Sequence, residues 1–394
     1  MLHAQSALLL PLLLSAQSGR RVGCASISCG AANDILRDLG MSAATAKAAE
    51  AKLMSNMKVT AERGVANCEL LQSRLSLSRL ELRKVLQRQP ALLAVSFEGT
   101  VQPALSMLTE IGLSKAEVRK VVVQHPALLG YAFWPTSAAI QRRLALSDLE
   151  LVRVITQFPP ILGMAFDTNL APTLSALQRD LQLSEDELRR VVLKRPGFVG
   201  LNYERTLAPS LSALQRRLNL ETAELRRVVL GLPTLLGLSY ESNVEPSLAA
   251  LQAHLGLADA ELRHIVLKQP QVLGYSFDDN LRPKIDFLRR ALEGAAEATL
   301  RERVIALPAM LGYSLERRYR PRIERGEQAG LSPAHAAALT LDTIALTDAR
   351  YYALLERECR KSKGEPELNG GAQCSRQRQR GHPHRHAQST MIRR

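Results

Sequence analysis

The chain has 394 residues, of which 46% are apolar and only 4% aromatic, and a formal net charge of +14. The length allows two or three domains and the apolar content allows a core, while five cysteines with no shared spacing argue against a disulfide framework or a zinc-finger pattern. The basic balance favours a polyanionic partner, but residues 359–394 carry 9 basic and 2 acidic side chains whereas residues 61–358 carry 37 and 33, so the arrangement of the arginines and lysines matters more than their sum.

The chain opens with an apolar run, Leu-Leu-Leu-Pro-Leu-Leu-Leu at residues 8–14, too short to span a bilayer. No acidic residue precedes Asp34, and Arg20 and Arg21 follow the run. An acid-free, Arg- and Ser-bearing start reads as an organelle-targeting segment over residues 1–33. It fits either a mitochondrial presequence or a bipartite plastid signal. Plain secretion fits less well, because the first six residues carry no positive charge. Residues 34–60 read as a leading helical segment.

From residue 61 one phrase recurs: Ser-x-x-Glu-Leu-Arg-Arg-Val-Val, then Pro, then Leu-Leu-Gly, an aromatic, and a second Pro. The first prolines are Pro90, Pro126, Pro159, Pro196, Pro233, Pro270 and Pro308. Their spacing is 37 residues in the middle of the series and shortens at Pro126–Pro159, where Pro135 also follows its partner early. A period of this size marks a repeat array, expected over residues 61–355. Each unit is too small to bury its apolar face alone, so neighbours must stack and share a continuous surface.

Within a unit the elements follow from local chemistry. Ser184 precedes Glu187 by the capping-box spacing that satisfies free N–H groups at a helix start, and Ser78/Glu81, Ser114/Glu117 and Ser147/Glu150 repeat it. Leu188, Val191 and Val192 fall on one helical stripe. Pro196 ends the helix, since the residue before a proline is pushed out of helical angles. The Leu-Leu-Gly patch reads as a short helical turn closed by glycine at a close backbone approach or a positive φ. The second proline then sits near the start of another helix, where its missing N–H costs nothing. Leu174, Leu177 and Leu181 form that helix's stripe. The unit is helix, short turn, helix, with no strand.

Aromatics recur five and seven residues after the first proline, among them Phe97, Tyr131, Phe133, Tyr203 and Tyr240. Base stacking is one use for such a series. Packing between repeats fits better, because Met164, Leu201 and Leu238 fill equivalent slots.

Two basic columns follow the register. The first, on the capped helix, holds Arg83 and Lys84, Arg119 and Lys120, Arg153, Arg189 and Arg190, Arg226 and Arg227, and Arg263. The second, on the helix after the second proline, holds Arg142, Arg179, Arg216 and Arg290, with Arg143 and Arg217 beside two of them. Stacked repeats would space these side chains along a groove, which suits a phosphate backbone. Their alternative use is to pair with Glu187 and its equivalents one turn away on the same helix.

Catalytic motifs are missing from the sequence: no Gly-rich phosphate loop, no His-Glu-x-x-His and no Gly-x-Ser-x-Gly occurs. A non-enzymatic protein without cofactor or metal is expected. The tail, residues 356–394, is rich in Arg, Gln, Gly, Ser and His and cannot support a core. His382, His384 and His386 near Cys374 read as part of that solvated tail.

The Ser-x-x-Glu-Leu-Arg-x-Val-Val…Pro-x-Leu-Leu-Gly-Tyr-Ser phrase resembles the repeat of the mitochondrial transcription termination factor (mTERF) family. Pro308-Ala-Met-Leu-Gly-Tyr-Ser-Leu-Glu-Arg-Arg-Tyr-Arg-Pro-Arg322 is similar to the closing repeat of its plant and algal members. The resemblance covers about residues 61–325. It implies an all-α solenoid superhelix of two α-helices plus a short 3₁₀ helix per repeat, with a basic groove. It also implies an organellar protein, mitochondrial or chloroplast, that binds duplex DNA or in some members RNA. The roles it implies are transcription, its termination, splicing or ribosome assembly. Duplex DNA and transcription regulation by a monomer are the leading expectation, RNA binding the alternative, and a protein–protein scaffold the second alternative. The chain departs from the pattern in the shortened unit after Phe133, in Phe158-Pro159-Pro160, and at Thr299, where the repeat glutamate is expected.

Overall fold

A computed structural model describes residues 31–53, 59–130, 134–292 and 296–362. Most of the expected targeting segment lies outside these residues, as do Tyr131, Phe133 and the histidine-bearing tail. Among the described residues every regular element is helical, so the fold is an all-α solenoid. It divides into two compact units between Leu281 and Arg282.

The first unit begins with helices Ala31–Asp38, Ala43–Glu50 and Ala61–Leu75 and continues into the repeats. The capped helices are Arg79–Arg88, Lys115–Gln124, Asp148–Gln157, Glu185–Lys194, Thr222–Gly231 and Asp259–Lys268. At Ser184 the expected box forms: the backbone N–H of Glu187 donates to the serine hydroxyl at 3.2 Å, and the N–H of Ser184 donates to the Glu187 carboxylate at 2.9 Å. Where Glu221 and Ala258 replace the serine, the glutamate half survives, with backbone N–H groups donating to Glu224 at 2.9 Å and Glu261 at 2.7 Å. The apolar stripe faces inward as expected; Leu188, Val191 and Val192 are fully buried, each contributing about 1.5–3 kcal/mol relative to an exposed side chain.

The first proline stops the helix as the sequence predicts. The residue before it, from Gln89 to Gln269, holds φ between −132° and −146° with ψ near 72°, outside the helical region. A 3₁₀ turn follows, such as Pro196–Gly200. The glycine closing it differs from expectation: none of the Leu-Leu-Gly glycines has a positive φ. Side chains of the preceding repeat lie over it instead. A Cβ on Gly200 would sit 2.9 Å from Met164 and Phe158, and one on Gly237 would sit 2.8 Å from the Arg195 guanidinium.

The second proline also lies deeper than expected. A π-helical turn such as Phe166–Leu170 precedes the proline-led α-segment in every described repeat but the shortened one, so Pro172 stands about a full turn inside a continuous helix. In α-register its ring would strike the carbonyl four residues back. The wider turn, in which Ala171 N–H reaches Phe166 O, relieves that clash. Leu174, Leu177 and Leu181 of this helix are buried. Each proline-led helix then ends at a left-handed residue, in turn Gly112, Ala145, Gln182, Asn219 and Gly256. Three of these carry side chains at a cost of roughly 1 kcal/mol or more, so no glycine marks those turns in the sequence.

Neighbouring capped helices pack directly on one another, whereas the proline-led helices from Trp134–Arg143 to Glu245–Leu255 each pack on the π turn of the next repeat. The recurrent aromatics fill this seam. Phe97, Tyr203 and Phe277 are buried, and the Tyr203 hydroxyl donates to Asp180 at 2.6 Å. Packing, rather than an exposed stacking platform, is what these rings provide.

The second unit holds helices Arg282–Ala291, Ala296–Ala306, Arg320–Gln328, Pro333–Asp342 and Asp348–Ser362, with the 3₁₀ turn Pro308–Gly312 and the π turn Leu315–Tyr319. A buried arginine sits within its apolar core. The Arg322 side chain is 1% exposed, donates to Thr343 O, Leu346 O and the Asp348 carboxylate at 3.0, 2.7 and 2.7 Å, and lies 4.6 Å from the Tyr351 ring centroid. The Tyr351 hydroxyl donates back to Arg322 O at 2.8 Å. This mutual hold fastens the last helix, which runs on through residue 356 to Ser362.

Candidate nucleic-acid interface

The sixteen basic residues singled out by the register separate into two groups by what their charged ends touch. In the capped helices the first residue of each pair turns back to the preceding repeat. Arg119, Arg189, Arg226 and Arg263 donate to Glu81, Glu150, Glu187 and Glu224 at 2.6, 2.5, 2.5 and 2.7 Å. The acceptor is the capping-box glutamate each time, so one carboxylate closes its own helix start and anchors the next repeat. Arg83, with no earlier repeat behind it, donates to Gly40 O at 3.2 Å. Arg143 and Arg217 form an analogous pair of ties from the other helix, Arg143 to Gln178 and Glu185, and Arg217 to Gln252, Glu245 and Asp259.

The same-helix pairing expected at i, i+3 is thus largely replaced by pairing between repeats; Arg227–Glu224 is a loose exception at 3.9 Å. The shortened unit shows the logic by its gap. Val152 stands where the arginine would be, it is buried, and Arg153 falls one position later, exposed. Glu117 consequently has its carboxyl held low by the Ser114 hydroxyl and backbone rather than by an arginine.

These ties set an acid response. Hydrogen bonds from Arg119, and then Ser78, lower the Glu81 carboxyl from 4.5 to about 2; Arg189, and then Ser147, do the same for Glu150. A carboxylate whose folded pKa is depressed contributes stability that is fully present above about 4.5 and lost as pH falls through about 2. Thermal melts should therefore show the wild type losing stability across that window, and Glu150→Gln, which is already weaker at neutral pH, losing less of it. Equal slopes in the two proteins would remove the tie from the account.

The second group is exposed. Lys84, Lys120, Arg153, Arg190 and Arg227 lie one position beyond the tied arginines, on the outer face of the stacked capped helices. Arg142, Arg179, Arg216 and Arg290 are exposed on proline-led helices. This second column has acidic company: Arg179 pairs with Asp180 at 2.8 Å, and its pKa is raised by that carboxylate, with Glu204 adding to the effect. Each π turn also presents an exposed acid at one fixed position, as at Glu98, Asp167, Glu204 and Glu241. In the capped-helix column Arg227 lies 3.9 Å from Glu224 and Lys120 helps to hold the Glu117 carboxyl low, but no acid occupies the column itself. One turn further along the same helices come Arg88, Gln124, Gln157, Lys194, Gly231 and Lys268, also free of acids. Sequence reasoning passed over this second row. The tie was legible in principle, because the glutamate and the arginine recur at fixed positions two residues apart in unit after unit.

Among the described residues no group of three His, Cys, Asp or Glu side chains converges. Nor is any described helix long and apolar enough to cross a membrane.

The geometry defines an α-solenoid whose repeats are tied by ion pairs at recurring positions and whose stacked capped helices display an exposed basic strip. The mTERF family model matches residues 32–134 and 139–351, and the chain belongs to that family. The break in the match falls at Pro135, in the shortened unit. The family is one of helical-repeat proteins of organellar nucleic-acid binding and transcription. No curated protein matches the chain.

Proposed function

We propose that this protein binds duplex DNA in a mitochondrion or chloroplast and regulates or terminates transcription there by occupying the template. The strip of Lys84, Lys120, Arg153, Arg190 and Arg227 tracks the phosphate backbone. The observation that carries this reading is the sorting of the arginines: those that donate to carboxylates of the neighbouring repeat hold the repeats together, and an exposed row with no acid at any of its own positions remains on helices that pack side by side. Directly packed helices lie about 8–10 Å apart, so the row presents positive charge at a regular step to a regular polyanion. Arg142, Arg179, Arg216 and Arg290 are secondary contacts: Arg179 is paired with Asp180, and Arg142 and Arg290 each donate to a carbonyl of their own helix. Every described ring of the recurrent series is buried or half-buried, which favours a duplex over a single strand, since single strands are read by stacking on exposed rings. Action is by binding, with positioning from phosphates and selectivity from a few base contacts and DNA deformation.

The test is a salt titration of binding to matched duplex DNA, single-stranded RNA and structured RNA, with the full chain and with a chain ending at Ser362. The reading expects salt-sensitive preference for the duplex that survives loss of the tail. Preference for RNA would move the protein to splicing or ribosome assembly. Affinity that disappears with the tail would leave the repeats as a protein scaffold.

A further inference from the structure

Within that proposed site the two exposed rows of the capped helices differ in a way that assigns them different tasks. In the first row every residue from Lys84 to Arg227 is Lys or Arg, and His264 follows. A phosphate is the same at every step, so a contact row that follows phosphates keeps one chemistry. The second row, four residues on and on the same helix face, changes chemistry from repeat to repeat: Arg88, Gln124, Gln157, Lys194, Gly231, Lys268. Each of these is the last residue of its helix. A cation is the favoured side chain there, because it meets the negative end of the helix dipole. Arg88 shows a structural use of the position by donating to Val123 O and Gln124 O of the next helix at 3.2 and 3.0 Å. Gly231 has one too, since Pro270 lies 2.9 Å from where its Cβ would be.

Gln124 and Gln157 have neither. Both are exposed, and neither side-chain amide has a hydrogen-bond partner among the described residues. The fold's recurrent glutamines behave otherwise: Gln141, Gln178, Gln215 and Gln252, at equivalent places on proline-led helices, all donate to a carboxylate or a backbone carbonyl. Two unbonded amides in adjacent repeats, beside a phosphate-tracking row, offer a donor and an acceptor side by side. That pattern matches the N6 and N7 edge of adenine in the major groove.

We propose that Gln124 and Gln157 are specificity-determining residues that read adenine edges of a duplex held on the neighbouring lysine and arginine row. The inference rests on the proposed function, and the experiment separates the two. Binding sites are selected from a pool of duplexes randomised over their central positions, using the full chain and the Gln124→Ala/Gln157→Ala double variant. Affinity for unselected duplex and its salt dependence are measured in parallel. The wild type is expected to enrich adenine at two positions. The double variant keeps its affinity and salt dependence for unselected duplex but loses discrimination at those positions on the order of 10- to 100-fold. A salt-sensitive wild type whose motif is unchanged in the variant, or which enriches no motif, overturns the glutamine assignment alone. A wild type without salt-sensitive duplex binding overturns the proposed function, and the assignment with it.

Discussion

Tyr351→Ala should destabilise the carboxy-terminal unit by about 3–5 kcal/mol, the range for truncating a fully buried large aromatic. Tyr351 is fully buried, its ring packs under the Arg322 guanidinium, and its hydroxyl donates to Arg322 O. Removing it opens a cavity and withdraws the surface that holds a buried cation in place. That arginine in turn satisfies Thr343 O and Leu346 O at the turn before the last helix, so the loss spreads to Asp348–Ser362. Tyr351→Phe keeps the ring and removes the donor, and should cost about 0.5–1.5 kcal/mol for the lost hydrogen bond to Arg322 O. Calorimetry should show the transition of this unit falling by roughly 10 °C or more in the alanine variant. Limited proteolysis should cleave near the last helix. An alanine variant that melts like the wild type would mean that the Arg322 cluster is not what fastens this helix.

The second large effect is on affinity. Alanine at Lys84, Lys120, Arg153, Arg190 and Arg227 together should reduce the slope of log affinity against log salt by up to about 4.5 for duplex DNA, at about 0.9 per lost phosphate contact. Binding at low salt should weaken on the order of 10³-fold. Because the five side chains are exposed, stability should change by no more than about 0.5 kcal/mol per site. A smaller drop in slope would count how many of the five reach phosphate.

The repeat, its caps and its inward stripes were legible because each rests on local chemistry. A serine three residues before a glutamate and a proline at a fixed distance act on the backbone wherever they occur. Other features depend on what the next repeat brings. The π turn before Pro172 arises from the clash of a ring with a carbonyl, and no residue type announces it. The close approach at Gly237 comes from the Arg195 guanidinium reaching over from the preceding repeat. The left-handed positions at Ala145 and Gln182 carry no glycine. In the candidate site, the register located the basic columns but could not divide them, since Arg189 and Arg190 are adjacent and chemically alike. What separates them is one helical step, which turns Arg189 toward Glu150 and leaves Arg190 exposed. The second exposed row was missed because its chemistry varies, and a search for a repeating residue type passes over such a row.

The division of labour between adjacent arginines is the claim on which this account turns. It is tested most directly by comparing two variants side by side: methionine at Arg119, Arg189, Arg226 and Arg263, and alanine at Lys84, Lys120, Arg153, Arg190 and Arg227. The measurements are the melting temperature and the salt slope of binding to duplex DNA. The account predicts that the methionine set melts earlier and, at a temperature where it remains folded, binds with the wild-type slope, while the alanine set melts as the wild type does and loses slope. A methionine set that keeps its melting temperature and loses the slope would contradict it, and would place the tied arginines on the nucleic acid instead.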